Sequence, residues 1–273
     1  MAFRIVQTGS GATRPLVLVF HLNARDDAAL KAAAGPNALI ANDTVPQAQA
    51  ASYYTTIPPL SQTIAQLAPA GVALSPVVVC GFSAGGWATR TILQKGGDPD
   101  ALVVADGTYG TAPSDWAAWQ AYANRAMAGQ RIFFASYTSL LVASSTWHVL
   151  CAITGQTLPL GPVAGRPAGA PLIAPGGMAG WQKGKFTVLG YPTNDAAGHE
   201  QQGDTVLPSM LRQAMGALRG APAATPPSGL GEGLLIAAGV VAVLGAGLAV
   251  ALPSRARASR GRPPRRRPPR PRA

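Results

Sequence analysis

Cysteine, histidine and charge are all scarce in this sequence, and each shortage excludes a class of protein. The two cysteines, Cys80 and Cys151, cannot form the disulfide framework of a small secreted domain. The three histidines lie far apart without the spacing of metal ligands, so we expect no metal site. Neither a Gly-x-Gly-x-x-Gly nor a Walker pattern occurs, and we therefore expect no nucleotide cofactor.

The charge that is present lies mostly at one end of the chain. Charged residues make up 12% of the 273 residues and hydrophobic residues 48%, which suffices for a large core. The formal net charge is +11, but the last 43 residues alone carry nine arginines against a single acid, Glu232. Residues 1–230 are therefore nearly neutral, and the basic character belongs to the end of the chain.

Short apolar runs rich in β-forming residues alternate with helical stretches over most of the sequence. This alternation predicts an α/β protein with a mostly parallel central sheet and helices on both faces. The predicted strands are residues 3–8, 15–20, 37–43, 76–80, 101–105, 131–137 and 185–191. The predicted helices are residues 27–34, 60–68, 87–93, 113–129 and 205–218, and the long stretches 44–59 and 138–180 are expected to be irregular.

One motif carries a specific chemical signal. The run Pro76–Cys80 leads directly into Gly81-Phe82-Ser83-Ala84-Gly85, and a helical stretch follows. A strand, Gly-x-Ser-x-Gly and a helix in this order are typical of a nucleophile elbow, which exposes a serine on a tight turn. Because a serine hydroxyl is a weak nucleophile, it needs a base within reach and N–H groups that hold an oxyanion. The competing interpretation is an ordinary glycine-rich turn.

Three candidate side chains follow the ends of predicted strands. Ser83, Asp106 and His199 each fall at or just beyond such an end, where catalytic groups of parallel sheets gather. With this elbow and the chain order Ser…Asp…His, residues 3–218 resemble the α/β-hydrolase superfamily. The closing segment, residues 185–211, is also similar to poorly characterised bacterial and phage hydrolases of that superfamily. The resemblance implies the α/β-hydrolase fold and acyl transfer by a catalytic triad.

The resemblance assigns the nucleophile and the base. Ser83 is the nucleophile, and His199 is the general base that takes its proton and later gives it to the leaving group. His21 ends a buried strand near the expected oxyanion loop, where related proteins often have a structural histidine. His148 is expected either on the surface or along a lid.

The acid of the triad is assigned to Asp106, which follows the strand after the nucleophile helix. The position after the next strand, Tyr137–Ser139, offers no acid. Asp195 and Asp204 are too close to His199 in sequence to face the far nitrogen of its ring. The competing interpretation of Asp106 is a turn residue before Gly107.

The oxyanion hole is expected from two backbone N–H groups. One belongs to Ala84, the residue after the nucleophile, and the second to Leu22 or Asn23 in the loop after the second strand. Leu22 stands where the superfamily usually has glycine, so the sequence leaves open which residue donates.

The end of the chain divides into three further parts. We expect a hydrolase domain over residues 1–220, a linker rich in proline, glycine and alanine over 221–232, a transmembrane helix over 233–253 and a disordered Arg/Pro tail over 254–273. About 20 apolar residues suffice to span a bilayer. The competing interpretation of residues 233–253 is a buried helix of a soluble fold.

The arginine tail bears on partners and location. It is the one candidate for nucleic-acid binding, but after a membrane span it is more typical of a topological anchor that contacts anionic headgroups. The positive-inside rule places it in the cytoplasm. The first residues lack the pattern of a secretory signal, so the side of the membrane that holds the catalytic domain stays open.

The sequence as a whole thus predicts a single-pass, C-terminally anchored serine hydrolase that cleaves a small-molecule or lipid-like carboxylic ester. The alternatives are an amidase or peptidase of the same fold, and a non-catalytic, membrane-tethered binding protein on a hydrolase scaffold. Four aromatic residues are candidates either for an apolar acyl pocket or for the core: Tyr53, Tyr54, Trp116 and Trp119.

Overall fold

The computed structural model describes residues 3–22, 26–45, 50–110, 113–138, 143–158, 179–191 and 195–220. All of them belong to one compact unit, residues 1–231. The predicted linker, membrane span and arginine tail lie outside the described residues, as does Asn23. None of the helices within the described ranges combines the length and the apolar composition that a membrane-crossing helix needs.

Within the described ranges, eight strands form one sheet. They are β1 (Phe3–Gln7), β2 (Thr13–Phe20), β3 (Leu39–Asp43), β4 (Ala73–Phe82), β5 (Ala101–Ala105), β6 (Ile132–Thr138), β7 (Ala179–Lys183) and β8 (Phe186–Tyr191). Their order across the sheet is β1-β3-β2-β4-β5-β6-β8-β7. The six inner strands are parallel, whereas β1 and β7 pair antiparallel at the two edges.

Helices cover both faces of the sheet, as the sequence predicted. They are α1 (Asp27–Ala34), α2 (Ala50–Tyr53), α3 (Leu60–Leu67), α4 (Gly85–Gln94), α5 (Pro113–Met127), α6 (Ala143–Thr154), α7 (Ala196–Gln201) and α8 (Leu207–Leu218). Buried residues of α3, α4, α5 and α6 pack on one face of the sheet, and those of α1 and α8 pack on the other.

Burial on both faces explains why the sequences of the central strands are apolar throughout. In β2, Leu16, Leu18 and Phe20 belong to one core, while Val17 and Val19 belong to the core on the opposite face. A strand that is buried on both sides has no solvent face, so it needs no polar alternation. The prediction of a mostly parallel, doubly covered sheet is confirmed.

Two predicted loops contain regular structure. The stretch 138–180, expected to be irregular, holds α6 and the start of β7. The stretch 44–59 holds α2 followed by a 3₁₀ turn at Tyr54–Thr56. Because α6 carries no Asp, Glu, Lys or Arg, it lacks the amphipathic pattern by which a surface helix is usually found. This helix is instead stabilised by three residues that are buried in the core: Val149, Leu150 and Ile153.

The four aromatic candidates all lie in the core or pack against it. Trp119 and Tyr54 have no exposed surface. Trp116 and Tyr53 are partly buried and pack against the same core. The indole of Trp119 lies parallel to the Phe133 ring with 6.2 Å between centroids, and this stack joins α5 to β6.

The first turn of α4 is packed unusually close to its neighbours. A Cβ atom on Gly85 would lie 2.3 Å from the carbonyl oxygen of Phe20, at the end of β2. A Cβ atom on Gly86 would lie 1.5 Å from the carbonyl oxygen of Gly107, just after β5. Only glycine fits at these two positions, so the glycines fix how α4 approaches the carboxyl ends of the strands.

We expect Gly86→Ala to lower the free energy of unfolding by about 3 kcal/mol, because the new methyl group overlaps with backbone that cannot move aside. Gly216→Ala in α8 is the matched control, since nothing outside the neighbouring backbone of its own helix lies within 4 Å of its added Cβ. This variant should stabilise the helix by up to about 1 kcal/mol. Denaturant unfolding of both variants measures these changes. Equal stabilities of the two variants would contradict the close packing at α4.

Candidate active site

Ser83 lies on a tight turn between β4 and α4, as the motif predicted. Its φ angle is +48°, in the left-handed region that residues other than glycine rarely adopt. The Ser83 N–H donates to the carbonyl of Ala105 at 3.0 Å, and the N–H of Gly86 donates to the Ser83 carbonyl at 2.9 Å. These bonds on both sides hold the strained turn at the carboxyl edge of the sheet.

The three predicted side chains meet in one hydrogen-bonded path. His199 Nε2 lies 2.9 Å from Ser83 Oγ, and His199 Nδ1 lies 2.7 Å from Asp106 Oδ2. With the Nδ1–H tautomer, the ring donates to the carboxylate and Nε2 accepts from the serine hydroxyl. A proton can therefore pass from Ser83 to a base that an adjacent negative charge stabilises.

His199 is positioned by α7 rather than by a loop. The side chain of Asp195 caps this helix by accepting from the Gly198 N–H at 2.6 Å. The imidazole packs against the ring of Phe82, with 5.0 Å between centroids, and 14% of its side chain is exposed. Asp195 thus serves as a helix cap, and Asp204 lies on the π-helical turn Gln202–Val206 that follows.

Asp106 has no exposed surface, and β6 supplies hydrogen bonds to it. Thr138 Oγ1 donates to Asp106 Oδ2 at 2.7 Å, and the Thr138 N–H approaches Oδ1 at 3.4 Å. The Asp106 N–H donates to the carbonyl of Ser136 at 3.1 Å. The Ser136 hydroxyl donates in turn to Gln202 Oε1 at 2.7 Å. A buried carboxylate without such donors would be strongly destabilising.

Thr138, Ser136 and Gln202 were not predicted as part of the site. The pattern that could have pointed to these residues is in β6. The apolar run of this strand ends in polar residues that are buried. This strand end is the alternative position for the acid of the triad, and it contains no Asp or Glu. Thr138 donates to Asp106 on the neighbouring strand instead, whereas Ser136 donates to Gln202.

Three adjacent strands end on a residue with positive φ. These are His21 after β2 (φ +64°), Ser83 after β4 (+48°) and Asp106 after β5 (+43°), and they include every such non-glycine residue in the described ranges. Residues held in sparsely populated conformations concentrate at functional sites. Their grouping at one edge of the sheet marks this edge as the candidate active site.

The residues expected to form the oxyanion hole are only partly described. Ala84 stands at the start of α4, where backbone N–H groups and the helix dipole favour negative charge. Leu22 is buried, and its carbonyl accepts from the Asn42 side-chain amide at 2.9 Å. Asn23 lies outside the described residues.

The two other histidines take no part in the hydrogen-bonded path. His21 is half-buried and lies near the ring of Phe82, with 6.3 Å between the His21 and Phe82 centroids. Burial and the nearby His199 lower the pKa of His21. His148 is exposed on α6, edge-on to Trp147. No group of three His, Cys, Asp or Glu side chains in the described part of the chain is arranged to hold a metal ion.

Tyr109 is a further residue that the sequence analysis missed. It follows Asp106 by three positions, and its phenol neighbours the Ser83 side chain. Its ring packs against Trp87 of α4, with 5.6 Å between centroids, and only 8% of the residue is exposed. Burial raises the pKa of Tyr109 to about 12, so the phenol stays protonated at neutral pH.

This architecture is α/β-hydrolase-like, with the serine on a strand-to-helix turn and the order Ser…Asp…His along the chain. No family model and no curated protein matches the sequence.

Solved structures give remote similarities. Two structures of a Pyrobaculum calidifontis esterase, described as hyperthermophilic and archaeal, are each 11% identical to this chain. For the first structure the TM-score is 0.39, and the match covers 77% of this chain and 76% of the esterase chain. For the second the TM-score is 0.41, and the match covers 82% of this chain and 85% of the esterase chain. The Thermus thermophilus protein TT1662 is 15% identical to this chain with a TM-score of 0.38. The match covers 81% of this chain and 98% of TT1662. Similarities at this level say nothing of substrate or reaction.

We expect the free energy of unfolding to fall as the pH drops below about 6.5, in part because of His21. The pKa of His21 is lowered in the folded state, so the unfolded chain binds this proton first as the solution becomes acidic. His21→Asn removes the titrating group and keeps a residue that tolerates positive φ. Denaturant unfolding at pH 7.5 and 5.5 should show that this variant loses less free energy of unfolding between the two pH values than the wild type does. His148→Asn is the control. If His148→Asn reduced the loss of stability at low pH and His21→Asn did not, the role of His21 would be contradicted.

Proposed function

We propose that this protein is a serine hydrolase that cleaves carboxylic esters through an acyl-enzyme at Ser83. The observation that carries the proposal is the unbroken path from the Ser83 hydroxyl through His199 to the buried Asp106, with 2.9 Å and 2.7 Å between the bonded atoms. A serine in this setting has the base and the orienting acid that nucleophilic catalysis needs.

In the first half-reaction Ser83 Oγ attacks the ester carbonyl carbon while His199 Nε2 takes the hydroxyl proton. Asp106 stabilises the imidazolium that forms. The carbonyl oxygen becomes an oxyanion, and the Ala84 N–H at the start of α4 stabilises it. The intermediate collapses as the C–O bond to the leaving group breaks and His199 gives the proton to the departing alcohol. The acyl group is now on Ser83.

In the second half-reaction a water molecule attacks the acyl carbon. His199 takes a proton from this water and then returns it to Ser83 Oγ, while the carboxylic acid leaves. The same base, acid and oxyanion donor act in both halves, so no cofactor or metal ion enters the cycle.

We expect the full-length protein to react with a fluorophosphonate probe, because the probe phosphonylates an activated serine. Ser83→Ala should abolish both labelling and hydrolysis of p-nitrophenyl esters. Ser61→Ala is the matched control, since Ser61 is an exposed serine on α3 and should change neither. Mass spectrometry of the labelled peptide measures the site.

Two results would refute this proposal. Absence of labelling in the wild-type protein would favour a non-catalytic binding protein on the same scaffold. Labelling that persists in Ser83→Ala would show that another residue is the nucleophile. Faster cleavage of p-nitroanilides than of the matched p-nitrophenyl esters would assign the protein to the amidases.

We propose further that residues 233–253 anchor the protein in a membrane, with the arginine tail on the cytoplasmic side. The support is the sequence itself: this stretch contains no Asp, Glu, Lys or Arg, and nine arginines follow it directly. An ester of lipid-like character would then be available close to the active site.

We expect the full-length protein to stay in the membrane fraction after carbonate extraction. Val240→Arg with Val241→Arg should release it, because each charge costs about 2.5–3.5 kcal/mol at the centre of a span. The matched control carries the same two arginines in the linker, as Ala223→Arg with Ala224→Arg, and should stay membrane-bound. Wild-type protein that extracts into the soluble fraction would refute the anchor.

A further inference from the structure

The segment after β5 presses directly on the elbow. A Cβ atom on Gly107 would lie 2.7 Å from the carbonyl oxygen of Ser83, and the Gly107 carbonyl touches the first turn of α4. The Tyr109 N–H donates back to the Gly107 carbonyl at 2.8 Å, which closes a tight turn. The same short segment therefore carries the candidate acid and returns toward the nucleophile.

Tyr109 is held by groups on two helices. Arg90 Nη1 of α4 donates to its carbonyl at 3.2 Å, and Trp119 Nε1 of α5 donates to the same oxygen at 3.1 Å. Arg90 also pairs with Asp115 of α5 at 3.4 Å. The Tyr109 ring rests on Trp87, one helical turn beyond Ser83. The Tyr109 carbonyl and ring are thus both held, and the phenol neighbours the Ser83 side chain.

We propose that the Tyr109 hydroxyl is a catalytic group that donates a hydrogen bond to the oxyanion formed at Ser83, together with the Ala84 N–H. This assignment rests on the proposed function as an ester hydrolase. It supplies a side-chain donor where the superfamily resemblance led us to expect a second backbone N–H from Leu22 or Asn23.

The surroundings of Ser83 favour this role over that of a base. His199 Nε2 already accepts the Ser83 proton at 2.9 Å, so the nucleophile has no need of a second base. Since burial keeps the phenol protonated, Tyr109 acts as a donor at neutral pH. The oxyanion forms on the carbon that bonds to Ser83 Oγ, so a rigid donor beside Oγ lies near the position where negative charge develops.

The test compares full-length Tyr109→Phe with the wild type on phenyl acetates whose leaving groups differ in pKa. Removing one oxyanion donor lowers kcat by about 10²–10³. We expect kcat and kcat/KM of Tyr109→Phe to fall about 10²-fold with KM nearly unchanged. The factor should be the same for every leaving group, because the oxyanion forms on the acyl side of the bond that breaks.

Tyr122→Phe is the matched control. It removes another buried tyrosine hydroxyl, one that donates to the carbonyls of Pro99 at 3.0 Å and Ile132 at 3.3 Å. This variant should lower Tm and leave kcat unchanged, which separates loss of a buried hydrogen bond from loss of catalysis. A fall in kcat of equal size in both variants would overturn the proposal.

Other outcomes would also overturn it. An unchanged kcat in Tyr109→Phe would exclude a catalytic role, and a raised KM at constant kcat would make the hydroxyl a substrate-binding group. A loss that grows with the pKa of the leaving group would assign the phenol to protonation of the departing alcohol. If the wild type hydrolyses none of these esters, both the proposed function and the role of Tyr109 fail. If the wild type is active and Tyr109→Phe has the same kcat, only the role of Tyr109 fails.

Discussion

A carboxylate without contact to solvent lies at the centre of this site, and the elements around it are arranged to satisfy it. Asp106 receives a hydrogen bond from His199 on α7 and from Thr138 on β6. An unpartnered charge at this depth would cost several kcal/mol, so these donors stabilise the fold. One of the contacts that satisfies Asp106 thus also places the imidazole that faces Ser83.

Packing at the strand ends provides the second constraint. Ser83 and Asp106 both have positive φ, which is unfavourable for residues other than glycine, and close contacts hold them there. The Ser83 N–H bonds to the end of β5, and Gly86 lets α4 approach the Gly107 carbonyl. The turn that presents Ser83 and the turn that presents Asp106 thus stabilise each other.

The sequence predicted the parts that depend on periodicity and strand ends. Apolar runs located the parallel sheet, and the rule that functional groups follow parallel strands led to Ser83, Asp106 and His199. It could not predict contacts between elements. Thr138 became relevant only when β5 and β6 lay side by side, and Tyr109 only when its turn folded back on the elbow.

The position of the acid has consequences for the whole site. With Asp106 after β5, the neighbouring strand end holds Thr138, which can donate to the carboxylate and adds no second negative charge. The segment that carries Asp106 also contacts Ser83, because β5 is one of the two strands paired with the elbow strand β4. A candidate acid at the end of β6 would leave Tyr109 alone on this segment. Its place after β5 puts the acid and the Tyr109 phenol on one turn, so a change in that turn would alter both at once.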